Sequence, residues 1–174
     1  LVLGCGNNTE EISVEENNTE DKVIDTMEER VSEIDKYTAI LFADSLNFNK
    51  SAAENLLAAY EDYLDHDKFE AISFTYQFKA GELAKSLKKP HVAIKHFNDL
   101  MDRDPNNEHA PMALFYKAMI VGDDLGEHET AKIFYQEFID KYPDHPFAES
   151  AKASIELQGK SLDEIVKGFE DKNS

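Results

Sequence analysis

Two stretches of this chain repeat each other. HVAIKHFNDLMDRDPNNEHAPMALF, residues 91–115, aligns with ETAKIFYQEFIDKYPDHPFAESAKA, residues 129–153, at an offset of 38 positions. Ala93 falls on Ala131, Phe97 on Tyr135, Leu100 on Phe138, Met101 on Ile139, Asp102 on Asp140, Pro105 on Pro143 and Ala110 on Ala148. A period of this size means one supersecondary unit used more than once, each copy burying its apolar face against the next. Each copy reads as a helix closed by a Pro turn. The helices before the copies, YQFKAGELAKSL and LFYKAMIVGDDL, each place an aromatic, then an Ala two to four residues on, then apolar residues down one side. Seven Gly and five Pro in 174 residues leave little room for loops. Apolar positions recur at helical spacing almost throughout, without sustained alternation. The expectation is an all-α stack of antiparallel helix pairs.

Upstream, Ile24, Met27, Val31 and Ile34 sit at i, i+3, i+7 and i+10, a narrow helical seam that packs on the array or on a partner. Residues 37–50 are less regular and read as a loop with a short turn. Ser51-Ala-Ala-Glu54 has the form of a capping box, opening a helix that buries Leu56, Leu57, Tyr60 and Leu64. Downstream, Phe147 to Leu157 repeats a first helix. Gly159-Lys-Ser161-Leu-Asp-Glu164 then breaks and caps a last helix with Ile165, Val166 and Phe169. Such a helix is the expected end cap of a repeat array.

The repeated unit resembles the tetratricopeptide repeat. Ala80-Gly81 supplies the apolar and small pair, Ala93 the inter-helix Ala, Phe97 and Leu100 the core pair, and Pro105 the stop. In the next unit Ala118 takes the small position, followed by Ala131, Tyr135, Phe138 and Pro143. Small residues let paired helices approach, large ones fill the gap to the next pair, and Pro ends the helix. The unit is 38 residues long, against about 34 in the family, with the extra residues around Asn106 to His109. Pro90 stands where the family has a polar residue, and is tolerated at a helix start. The interval from Ala118 to Ala131 is one residue longer than that from Gly81 to Ala93, which leaves the second unit's first helix open by one residue of register.

The resemblance covers about residues 51–171, with two clear repeats and two partial ones, Ala52 to Leu64 being the second helix of a degenerate first repeat. It implies a right-handed superhelical stack whose concave face, lined by the first helix of each pair, holds other proteins or extended peptides. The family's groove positions carry over to Thr75, Phe78, Glu82 and Lys85 in one repeat, and to Ala113, Tyr116, Ile120 and Asp123 in the next. Phe78 and Tyr116 are either core aromatics or anchors for a peptide, and the sequence leaves both open.

The chain opens with LVLGCGNNTEEISVEENNTED. Val2-Leu3-Gly4-Cys5 resembles a bacterial lipobox, with Leu3 bulkier than the usual residue. The expectation is that residues 1–4 are the remnant of a signal peptide and that Cys5 is acylated. Acyl chains contribute about 0.8 kcal/mol per buried methylene, enough for several to anchor a soluble domain. Residues 5–21 then form a solvated acidic tether, 22–50 an N-terminal helix and loop, and 51–171 the repeat domain. Cys5 is the only Cys, which excludes a disulfide or Cys-metal framework. Two matches to the N-glycan sequon, Asn7-Asn8-Thr9 and Asn17-Asn18-Thr19, read as chance behind a lipobox. Asp25-Thr26-Met27 and Asp44-Ser45-Leu46 resemble a short O-glycosylation pattern of some Gram-negative envelopes.

Formal net charge is −18. Residues 1–34 contribute −8 and the rest −10, so both parts repel phosphate and nucleic acid is not the expected partner. No catalytic residues, cofactor or metal are expected. The six His are scattered, and no HExxH, GxSxG, P-loop or GxGxxG occurs. Asp102-Arg-Asp104-Pro-Asn106 starts like an EF-hand loop but lacks the Gly at position six and has Ala113 at position twelve. The expected function is a non-enzymatic adaptor, lipid-anchored in the Gram-negative envelope on a periplasmic or surface face, serving outer-membrane or envelope assembly. Membrane contact is expected only through Cys5. The alternative is a lipoprotein that captures a peptide or glycan for uptake. A deep aromatic pocket favours capture, and a shallow extended groove favours the adaptor.

Overall fold

The computed structural model describes residues 26–44, 46–67 and 70–172. Cys5, the tether, both sequons, Ile24, Asp25 and Ser45 lie outside them. Among the described residues the chain is all helix and turn: α1 Met27–Phe42, α2 Lys50–His66, α3 Ala71–Ser86, α4 Pro90–Arg103, α5 Ala110–Met119 running on into a π-helical turn Ile120–Asp124, α6 His128–Lys141, α7 Ala148–Leu157 and α8 Leu162–Lys172. The pairs α1–α2, α3–α4 and α5–α6 pack as hairpins, and α2–α3, α4–α5 and α6–α7 join each pair to the next. The result is a tetratricopeptide-like α-solenoid.

Local chemistry sets most helix starts. Thr26 and Glu29 form a reciprocal capping box on α1, with Glu29 N donating to Thr26 Oγ1 at 3.2 Å and Thr26 N to Glu29 Oε2 at 3.3 Å. Pro90 and Pro111 occupy the first turns of α4 and α5. Two sequence expectations are corrected here. The helix α1 does not stop near Tyr37 but runs to Phe42, because Ile34 and Leu41 continue its buried stripe. The cap of α2 is Asn49, not Ser51: its Oδ1 accepts from Ala52 N at 3.0 Å. Ser51 and Glu54 sit two residues too far in to form the cap and are exposed.

The seam of α1 turns inward. Ile34 is buried, with Met27 and Val31 packed against the same core as Leu56, Leu57, Tyr60 and Leu64, so α1 is the first helix of the degenerate first pair. A second core gathers Leu114, Phe115, Ala118, Ala131, Tyr135 and Phe138. Closeness within a pair depends on small residues. A Cβ built on Gly81 would lie 2.5 Å from Phe97 Cε1, so only Gly lets α3 meet α4 there.

The π-helical turn accounts for the extra residue between Ala118 and Ala131. Before it, buried positions correspond at an offset of 37: Ser73 with Ala110, Gln77 with Leu114, Gly81 with Ala118. After it the offset is 38: Leu87 with Leu125, and Lys88 with Gly126, both in the left-handed region at φ 57° and 71°. The wide turn closes through Leu125 N donating to Ile120 O, five residues back, at 3.1 Å.

The stack ends differently from expectation. Ser161 and Glu164 do cap α8 reciprocally, with Ser161 N donating to Glu164 Oε2 at 2.8 Å and Glu164 N to Ser161 Oγ at 3.3 Å. No described helix packs broadly on α8, and its Leu162 is 75 % exposed and Val166 48 %. The outer face of α7 is charged instead, with Lys152 Nζ 2.7 Å from Glu149 Oε1, and it closes the array. A type II turn sends α8 away: Gln158 has ψ 124° and Gly159 φ 80°.

Candidate binding face

Side chains of α3 reach those of α5 and its cap residue His109 along one face. On α3, Thr75, Phe78, Glu82 and Lys85 fall at i, i+3, i+7 and i+10, one stripe along the helix. Thr75 Oγ1 lies 3.4 Å from His109 Nε2. The Phe78 ring stacks on His109 at 4.9 Å and 11° between planes, and on Tyr116 at 5.9 Å and 24°. It meets the Phe97 ring at 5.8 Å, tilted by 54°. Burial pushes the Glu82 carboxyl above its ordinary range, and a hydrogen bond from the Tyr116 hydroxyl draws it part of the way back. Burial likewise raises the Tyr116 hydroxyl, with the Glu82 charge adding to it. Lys85 Nζ sits 6.0 Å above the Tyr116 ring. Five of the eight expected groove residues therefore converge on one aromatic strip. Phe78 and Tyr116 are half-buried, taking part in the stack and in the face at once.

The other three do not join it. Ala113 and Ile120 are fully buried in the core, which corrects their assignment to a groove. The cause is the π-helical turn: upstream of it the equivalents of Thr75, Phe78 and Glu82 are Met112, Phe115 and Met119. Phe115 meets Tyr135 at 5.4 Å, as Phe78 meets Phe97. Asp123 is exposed and lines a separate cleft between α5 and α7 with Phe115, Met119, Leu157 and Gln158. Its Oδ1 accepts from Gln158 Nε2 at 3.4 Å.

A second cleft lies between α1 and α3, walled by Leu41, Phe42, Tyr60, Glu82 and Leu83. Phe42 at its rim is 72 % exposed. Glu82 belongs both to this cleft and to the aromatic strip, so the two are continuous. Sequence reasoning missed Leu41 and Phe42 because it ended α1 early. His109 was passed over as one of six scattered His, although the offset to Thr75 on a neighbouring first helix was its signal. Among the described residues no three His, Cys, Asp or Glu gather as a metal site would require.

The tetratricopeptide repeat family model matches residues 112–145, which hold α5 from its third residue, the π-helical turn, α6 and the turn through Pro143. No curated protein matches the chain. The matched segment is one helix pair less the first two residues of α5, and the repeat is generally a protein-interaction fold rather than a catalytic one.

Proposed function

We propose that this protein is a lipid-anchored adaptor of the Gram-negative envelope that holds segments of other envelope proteins along its odd-helix face, in outer-membrane or envelope assembly. The observation that carries the binding half is the strip Phe78–His109–Tyr116 running into the apolar α1–α3 cleft. Half-buried aromatics beside open apolar surface are the anchoring chemistry of protein interfaces. The clefts are shallow and strung along the face, which supports an extended protein segment over an enclosed small ligand. Val2-Leu3-Gly4-Cys5 and the acidic residues after it support the anchor, since a chain of net charge −18 needs a covalent attachment to stay at an anionic surface.

The test uses the precursor expressed in a Gram-negative host with its own signal peptide. Wild type is compared with Cys5→Ala, and with Phe78→Ala/Tyr116→Ala, in crosslinked envelopes. The expected result is an acylated Cys5 at the mature N-terminus by mass, membrane retention lost in Cys5→Ala, and defined envelope partners lost in the double variant although it remains folded. A mature form without acyl mass refutes the anchor. Partners that are unchanged in the double variant refute the face.

A further inference from the structure

A chain of polar side chains crosses the junction of α2, α3 and α4. Arg103 Nη1 donates to Gln77 Oε1 at 3.3 Å. Arginine is donor-only, so this contact fixes the Gln77 amide with its oxygen toward Arg103 and its nitrogen toward His96. Gln77 Nε2 therefore donates to His96 Nδ1 at 2.8 Å, and Nδ1 carries no proton. The ring proton is on Nε2, 3.3 Å from Glu61 Oε1. His96 is 3 % exposed and Gln77 4 %. The geometry thus selects neutral imidazole in one tautomer.

A proton added to His96 has only Nδ1 to occupy, where it faces an N–H of Gln77 across 2.8 Å. Turning the amide over relieves that clash but presents NH₂ to Arg103. Nε and Nη2 of that guanidinium are already buried without a hydrogen-bond partner, so the flip removes the acceptor from its Nη1 as well. Other charged groups also face the ring: Glu61 and Asp65 from α2, and Lys95 and Asp99 from α4. Burial holds His96 below its ordinary 6.5, and Lys95 acts in the same direction, against the pull of Glu61 and Asp99. Two of these residues also precede touching rings, Gln77 before Phe78 of the binding face and His96 before the buried Phe97.

We propose that Glu61, His96, Gln77 and Arg103 form a pH-operated clasp, which ties α2 to the α3–α4 hairpin when His96 is neutral and loosens that junction, with the Phe78 face beside it, when His96 gains a proton. As pH falls the unfolded chain takes the proton first. The contribution is complete above 6.5 and drains away as pH falls through that value toward the folded ring's own.

The test is urea unfolding of the full chain at about pH 7.5 and about pH 5, for wild type and His96→Gln. The unfolding equilibrium constant of wild type is expected to rise more between the two than that of the variant, with about thirtyfold as the ceiling that the unfolded ring's 6.5 sets. Equal pH dependence in both overturns the clasp. A titration of the His96 ring by NMR in wild type decides the matter even where His96→Gln fails to fold: a midpoint below 6.5 is expected, and one at or above it overturns the proposal. Gln77→Glu gives a protonated Nδ1 an acceptor and leaves one for Arg103, so it raises that midpoint. An unmoved midpoint shows that burial alone acts, and refutes the role of Gln77.

Discussion

Replacing Gly81 by Ala is expected to destabilise the fold, although α3 taken alone gains from the change. Ala is favoured over Gly in a helix interior by about 0.8–1 kcal/mol. Against this stands the position of the new methyl, 2.5, 2.7 and 2.9 Å from three carbons of the Phe97 ring. That ring has no exposed surface and is held by Phe78 and Tyr116, each 5.8 Å away, so it has nowhere to move. Overpacking of this kind costs about 1–3 kcal/mol. The net loss is about 0–2 kcal/mol, or up to about 8 °C in Tm for a chain of this length. Gly122→Ala is the control. Its Cβ also meets atoms at 2.5 Å, but they belong to the Gln158 amide, a half-exposed side chain that can swing aside, and the expected change stays within about 0.5 kcal/mol. Urea unfolding of both variants at neutral pH measures the difference. Phe97→Leu in the Gly81→Ala background is expected to recover part of the loss, with a coupling of about 0.5–3 kcal/mol. A Gly81→Ala protein more stable than wild type by the full helix gain of about 0.8–1 kcal/mol refutes the close approach of α3 to α4.

Further outcomes follow from single observations. Lys88 holds φ 57° in the turn where the next pair has Gly126, so Lys88→Gly is expected to stabilise by about 0.5–1 kcal/mol in thermal unfolding. Asn49→Ala is expected to cost about 1 kcal/mol and Ser51→Ala almost nothing, the reverse of what the sequence pattern favours; equal losses contradict the assignment of the cap. Burial raises the Glu82 carboxyl, so the folded protein holds that proton more tightly than the unfolded chain. The destabilising effect of its charge is absent below the ordinary carboxyl value of 4.5 and sets in as pH rises through it. Glu82→Gln therefore gains stability at neutral pH and nothing at about pH 3.5, and a gain of equal size at both points elsewhere.

Periodicity carried the architecture. Ala93 against Ala131, Phe97 against Tyr135 and Pro105 against Pro143 recur because each helix pair buries its apolar stripe only against another pair, and that requirement is written in residue types at fixed spacing. The stripe Thr75, Phe78, Glu82, Lys85 was legible for the same reason: a regular helix places such positions on one face whatever surrounds it. The rest depended on the assembled fold. One extra residue between Ala118 and Ala131 is visible in the sequence, but whether it widens the helix, lengthens the turn or shifts the hairpin is a choice among backbones of similar local energy. Packing decided it: Gly81 had to face the Phe97 ring and Ala118 had to stay in the core that holds Tyr135, so the residue was taken up in a π-helical turn and Ala113 and Ile120 went into the core. The same holds for His109, Gln77 and His96, polar residues whose partners lie 19 to 34 positions away. Local sequence fixes what each can donate or accept, and only the tertiary structure brings the two halves of such a pair within 3.4 Å.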